Sequence, residues 1–418
     1  MAAITTPLAP PAVRRPLPDL FAGPLVLVGA AMTALTIYLA TKGHIWGFDF
    51  RGGAWAAAGD VWNGRSPYLA PDPAKLLAQG NAYIAPPLLA VLCGPLALLP
   101  FAPAVVVYGL VCIAALALAL RIVGVRDWRV YGLALTSFPF VASLGMGQPD
   151  GLLALGVALG WRYRSSWRGA TAVGIVVALK LLAWPLLLWL VATRRFRQAG
   201  VAAAVAAGAI LGSWSLIAFQ GLTQYGRLLD ADATAFAVRS HSVVAAALRL
   251  GTTEGVARLL ALVVATAVAA LVVRLGSERD LAFFAAALAF GLLASPILWT
   301  HYLVVLYVPL ALAHRRPEAW LLTIPYWLSP LEPPPHVWKV LFVLALTVVV
   351  SVLSARRAGS GDRELFDEPV LVSVPRRLGA VLDAELAVDV RQVELHRLLG
   401  DPELLADRGV REAPGERA

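Results

Sequence analysis

Apolar residues in this chain come in long unbroken runs, not in the alternation of half-buried strands or the stripes of surface helices. Runs rich in Ala, Leu and Val recur from Leu25 to Leu353. Crossing a hydrocarbon core of about 30 Å takes about 20 helical residues, whereas barrel strands would alternate apolar and polar positions. The pattern therefore predicts an all-α, polytopic transmembrane helical bundle of about 10–12 spans. The first span falls at about 24–42. Further apolar segments fall at about 84–100, 102–122, 131–146, 150–162, 168–193, 199–219, 255–274, 280–294, 299–314, 319–330 and 336–354. Several are too short to cross. They read as re-entrant or half-crossing pieces, which need protein or a wet cavity around their backbone.

The polar breaks are of two kinds. One kind is short and basic: Arg14–Arg15, Arg126 with Arg129, Arg162 to Arg168, Arg194–Arg195 with Arg197, Arg315–Arg316 and Arg356–Arg357. Short basic loops stay cytoplasmic. With these clusters inside, 84–100 does not cross, and 168–193 is a hairpin of two short helices turning near Lys180. The other kind comprises 43–82, 220–254 and SPILWTH at 295–301. These pieces converge on the outer face, and the first of them mixes Trp, Tyr and Asp with Gly and Pro as a membrane-surface loop does. The chain divides into a Pro-rich disordered cytoplasmic start (1–20), a transmembrane domain (21–354) and a charged cytoplasmic tail (355–418).

Composition agrees. The hydrophobic share is 59% and the charged share 15%, against about 45–50% and about 25% in a soluble domain, and the mean hydropathy is +0.73. Residues 355–418 hold 13 of the 26 acidic residues, so the +9 net charge belongs to the membrane part. No basic stripe carries interleaved aromatics, which argues against a nucleic-acid partner. Cys93 and Cys112 lie in apolar runs and read as buried free thiols. Walker and dinucleotide glycine motifs are missing, which removes ATP-driven transport and nicotinamide redox chemistry. The six histidines never pair at helical i, i+4 spacing, so no metal or other cofactor is expected. Asp230–Ala231–Asp232 offers a divalent-ion pair, but a solvated loop fits it better.

Five residues stand out as candidates for chemistry. Asp49, in FDFR just past the first span, is a carboxylate near the bilayer surface beside Arg51. Asp60 and Asp72 compete for the same role. Lys180 lies within AVGIVVALKLLAWPLLLWL; a cation mid-membrane costs about 2.5–3.5 kcal/mol to insert and needs a partner or a polar cavity. It either snorkels to an interface or meets an anionic group such as a phosphate. Gln148, with Asp150, breaks an apolar stretch at GMGQPDG, as a plain turn or as a functional one. His301, beside Trp299 and Tyr302, is an aromatic-belt residue or a hydrogen-bond donor to a phosphate or sugar. Arg239 and His241 could add positive charge nearby.

The order of these features resembles a known family. NGRSPY, then Tyr83 with Pro86–Pro87, GQPDGLLAL, GATAVGIVVALKLLAWPLLLWLVATRRFR and SPILWTHYLVVLYVPL follow the acid in sequence. Over about 45–315 this is similar to the polyprenyl-phosphate-sugar-dependent glycosyltransferases of the GT-C fold, in glycosyltransferase family 87. Actinobacterial mannosyltransferases of phosphatidylinositol-mannoside synthesis and related arabinofuranosyltransferases belong there. The family often has Asn after its Gly-Gln, where this chain has Pro149 and Asp150. The resemblance implies a cell-membrane enzyme with an outward-facing site. It implies Asp49 as catalytic base, with Arg51, Lys180 and His301 favouring the leaving phosphate. Its partners would be a polyprenyl-phosphate sugar, mannose by family frequency, and a glycolipid or glycan acceptor, joined with inversion. A secondary transporter or lipid-linked-sugar flippase would share the hydropathy, but no repeat relates the two halves of the chain.

Overall fold

The computed structural model describes residues 17–328 and 335–357. The expected tail beyond residue 357, and residues 1–16 of the expected start, lie outside this range. Among the described residues there is helix and turn and no strand. The chain is an all-α polytopic membrane protein.

The helices, in order, are α1 (Leu17–Lys42), α2 (Ala56–Trp62), α3 (Pro73–Gln79), α4 (Leu88–Ala97), α5 (Phe101–Ile122), α6 (Trp128–Leu135), α7 (Phe138–Met146), α8 (Asp150–Arg162) and α9 (Trp167–Leu179). There follow α10 (Pro185–Ala192), α11 (Phe196–Ser215), α12 (Tyr225–Phe236), α13 (Val243–Arg249), α14 (Glu254–Leu275), α15 (Arg279–Ala294), α16 (Tyr307–Ala313) and α17 (Val337–Ser354). A wide helical turn at Phe50–Trp55 precedes α2, and tight three-residue-per-turn segments occupy Thr300–Leu306 and Ala319–Leu328. Helix α1 starts at Leu17, inside the stretch expected to be unstructured. Among the described residues, five helices are long and apolar enough to cross unaided: α1 over Phe21–Lys42, α5, α11, α14 and α17. The other apolar runs are shorter pieces.

Two of the short pieces sit where the arginines require them. Helix α4 has 10 residues, about 15 Å, too little to cross. The expected hairpin is present: α9 ends at Leu179, Lys180 takes an extended backbone (φ −149°, ψ 108°), and Pro185 opens α10. A proline is tolerated in a first helical turn but not in a helix interior, so one long helix across 167–192 is excluded.

The interruption 43–82, read as a membrane-surface loop with a small-residue helix closing in NGRSPY, contains several short helices, α2 ending just before NGRSPY. Its local caps explain this. The Asp72 carboxylate accepts from the Ala74 N–H at 3.0 Å and Pro73 presets the first turn of α3. The loops of this end do converge. Tyr225 Oη donates to the Ile84 carbonyl at 2.8 Å, Tyr68 stacks on Trp214 at 5.5 Å, and Leu76 of α3 packs on Leu228 and Ala231 of α12. The His241 N–H donates to the Leu298 carbonyl at 2.8 Å and Ser242 Oγ to that of Pro296 at 2.7 Å.

The opposite end collects the basic residues. Helix α8 leaves Asp150 and ends at Arg162, α10 leaves the Lys180 break and leads to Arg194–Arg195, and 300–313 leaves His301 and leads to Arg315–Arg316. There Asp280 ties three elements together: it accepts from Arg164 Nε at 2.7 Å, Arg195 Nη1 at 2.8 Å and Trp189 Nε1 at 2.9 Å. Between the ends, helices approach on small residues, as membrane bundles do. A Cβ on Gly151 of α8 would stand 2.3 Å from the Cys112 carbonyl of α5. The segment Thr300–Ala313 threads the centre, buried throughout except at Tyr302.

Candidate active site

The site is built where the turn after α1 meets the turn between α7 and α8. Gly147 closes α7 at φ +76°, a left-handed conformation that favours glycine. A Cβ there would stand 2.5 Å from Cβ of Phe50. That close approach lets the Gly47 N–H donate to the Gly145 carbonyl at 2.7 Å. It also brings Gln148 to the acid: its Nε2 donates to Asp49 Oδ2 at 2.8 Å. Phe50 turns inward beside Asp49, is fully buried, and stacks on Tyr108 at 4.5 Å. Asp49 itself is partly buried. Burial pushes its carboxyl up to about 6, against the pull of the Gln148 bond and of Lys180.

The competing acids have other employment. Asp60 pairs with Arg65 at 2.9 Å and Asp72 caps α3, with side chains 38% and 42% exposed. Neither faces the bundle interior.

Lys180 does not snorkel. Its Nζ lies 3.0 Å from Asp150 Oδ1 and 3.7 Å from the centre of the Tyr302 ring, with only 15% of the side chain exposed. Asp150 is fully buried, and its Oδ2 lies 3.3 Å from His301 Nδ1. A proton on Nδ1 completes that bond and leaves Nε2 for another partner. Tyr302 sets its ring edge-on to His301 at 4.7 Å. Lys180 and Asp150 both act electrostatically on Asp49. Three of the lysine's N–H groups exist and one is used by Asp150, so donors remain for an incoming anion.

Asp49, Gln148, Lys180 and His301 are therefore gathered in one place. Arg51 is not with them. It stands two positions after Asp49 in a helical turn, which puts it on nearly the opposite side, and its guanidinium lies 4.1 Å from the centre of the Phe101 ring. Asp150 was visible in the sequence only as part of a turn. Its role as shared partner of Lys180 and His301 depends on the α5–α8 contact at Gly151. Asp230 and Asp232 do not form a pair: they lie on α12, not on a loop, two residues apart and so on opposite faces. Asp230 meets Arg258 at 2.6 Å, at the rim of a recess of about 340 Å³ lined by Leu229, Ala233, Leu262 and Pro296. That recess contains none of the four gathered residues. Among the described residues, no group of three or more His, Cys, Asp or Glu is disposed to hold a metal ion.

A carboxylate with a raised pKa beside a buried cation and an oriented imidazole can accept a proton at one point and oppose negative charge at another. The profile of the family described as glycosyltransferase family 87 matches residues 83–296, half of the chain. The chain belongs to glycosyltransferase family 87. Gln148, Asp150 and Lys180 lie within the matched segment of the family, and Asp49 and His301 flank it. Two relatives from Mycolicibacterium smegmatis are similar. One is a polyprenol-phosphate-mannose-dependent alpha-(1-2)-phosphatidylinositol mannoside mannosyltransferase, 28% identical over 50% of this chain and 56% of the relative. The other is a polyprenol-phosphate-mannose-dependent alpha-(1-2)-phosphatidylinositol pentamannoside mannosyltransferase, 25% identical over 66% of this chain and 77% of the relative. The match thus spans little more than half the length of the first. No solved structure matches the chain.

Proposed function

We propose that this family 87 member transfers mannose from a polyprenyl-phosphate donor to a hydroxyl of a glycolipid or glycan acceptor, with Asp49 as base. The observation that carries the reading is Asp49, held by Gln148 at 2.8 Å beside the Lys180–Asp150–His301 group. The two relatives' dependence on polyprenol-phosphate mannose supports the donor class. In the step, the acceptor oxygen attacks the anomeric carbon and gives its proton to Asp49. The bond from that carbon to the phosphate oxygen breaks, and its electron pair leaves with the polyprenyl phosphate. A phosphate departs as a stable anion, so one carboxylate is enough, and a base with a pKa nearer neutrality takes the proton more readily. The free N–H groups of Lys180 oppose the charge that builds on the leaving group, while His301, its Nδ1–H donating to Asp150, presents Nε2 as an acceptor for a sugar hydroxyl. A single displacement inverts the anomeric carbon. The donor is a substrate, and no metal or other cofactor enters.

The site belongs to the outer face on this reading. The helices that leave it run toward arginines, and short basic loops stay cytoplasmic. Helix α8 has 13 residues, about 20 Å of a hydrocarbon core of about 30 Å, which sinks Asp150 about 10 Å below the outer boundary. A lipid-linked donor reaches that depth; a nucleotide sugar does not. The test is purified protein in nanodiscs with labelled polyprenyl-phosphate mannose and a phosphatidylinositol-mannoside acceptor. A parallel arm uses the arabinofuranose donor. Mannosyl transfer to the acceptor is expected. Arabinofuranosyl transfer would reassign the sugar, and movement of the donor across the bilayer without transfer would sink the enzyme reading.

A further inference from the structure

Asp232 is a buried acid that the mechanism above does not use. It lies on the inward stripe of α12 with Tyr225 and Leu228, at helical spacings of three and four, where an apolar residue is expected. Only 7% of it is exposed, and no hydrogen bond or ion pair engages its carboxylate among the described residues. Its neighbour Asp230 shows what this helix does with an ordinary acid: it is 63% exposed and paired with Arg258. Buried carboxylates are normally paired, so one without a protein partner is met by water or by a ligand. Desolvation pushes Asp232 up to about 7.

Position identifies the ligand class. Asp232 lies within electrostatic range of Tyr302, which also feels Asp49 and Asp150. The ring of Tyr302 covers Lys180 and touches His301. Asp232 thus approaches the Tyr302, Lys180 and His301 group from the α12 side. The bonds from His241 and Ser242 to Leu298 and Pro296 hold the end of that side against the strand of chain that leads to His301. A carboxylate there repels a phosphate, whose place is with Lys180. It suits neutral hydroxyls, each of which donates to it.

We propose that Asp232 accepts hydrogen bonds from the hydroxyls of a sugar ring bound on the α12 side of Tyr302, as a subsite distinct from the phosphate position. This rests on the transferase reading. The acceptor headgroup and the donor sugar are both possible sources of the ring, and the assay separates them. Transfer is measured for wild type, Asp232→Asn, Asp232→Ala and Asp230→Asn, varying acceptor in one arm and donor in the other. The expected result is a loss of about tenfold or more in kcat/KM for one substrate in both Asp232 variants, as for removal of a hydrogen bond to a charged acceptor. The other substrate and Asp230→Asn should stay within about twofold of wild type. The isosteric Asn variant keeps the test valid if the Ala variant fails to fold. Ligand-observed NMR with methyl α-mannoside supplies a readout without turnover: binding to wild type that Asp232→Asn abolishes is expected. Wild-type transfer with both ratios unchanged in the variants, or equal mannoside binding by wild type and variant, overturns the assignment. Absence of transfer by wild type would instead contradict the function proposed above, and the NMR arm would still decide on Asp232.

Discussion

Asp150→Asn keeps the shape of the side chain and removes its charge, leaving the Lys180 ammonium inside the bundle without its direct counter-charge. The two are 3.0 Å apart, with Asp150 fully buried. Their attraction at that distance is about 5 kcal/mol at an effective dielectric of about 20, and much of it offsets the desolvation of both groups. Removing one partner of such a pair costs about 3–5 kcal/mol, while replacing both by uncharged groups is near neutral. Asp150→Asn and Lys180→Met should each therefore destabilise by about 3 kcal/mol, and the double variant by less than either single. The assay is unfolding in detergent micelles followed by tryptophan fluorescence, as a double-mutant cycle. The double variant should regain stability yet use the donor poorly, because Lys180 is missing. Losses that add to within about 0.5 kcal/mol would refute the pairing as the reason for Lys180's position.

Other outcomes follow from the same geometry. The acid limb of kcat/KM should lie near pH 6, because Asp49 must be ionised to act and burial raises its pKa to about 6; activity is present above that value and lost below it. Gln148→Ala removes a bond that lowers the Asp49 pKa, so the limb should move to higher pH, and a limb that stays or falls would contradict the pairing. Gly147→Val should cut turnover at least about tenfold, since its Cβ collides with Phe50 and dislodges Gln148 from Asp49; full activity would show that the 2.8 Å contact is not needed. Asp60→Asn and Asp72→Asn should each lose less than about 1 kcal/mol, for a surface pair and for a helix cap that Asn also makes, both with near wild-type turnover.

Much of this was legible in the sequence because membrane insertion writes its rules locally. The run lengths marked which segments are long enough to cross and which are short pieces, and the arginine clusters required a hairpin at Lys180, where the helix does break. Asp49, Gln148, Lys180 and His301 were each conspicuous as polar residues at the edges of, or inside, apolar runs. What escaped was set by contacts distant in sequence or by the rotation of a helix. Arg51 looked like a companion of Asp49 along the chain, yet a helical turn carries it to Phe101. Asp150 looked like a turn residue until Gly151 let α8 press on α5. Asp232 looked solvated because α12 was read as a loop; its spacing from Tyr225 and Leu228 was the available signal.

The account stands or falls on Asp49. The decisive measurement is turnover with a polyprenyl-phosphate mannose donor by purified Asp49→Asn, beside wild type, Asp60→Asn and Asp72→Asn at equal folded concentration. Asp49→Asn removes the proton acceptor without changing the side chain's shape, so turnover should fall by about two orders of magnitude or more while the other two variants stay active. An Asp49→Asn variant that keeps more than about a tenth of wild-type turnover, above all with Asp60→Asn inactive, would contradict the base assignment and the single displacement built on it.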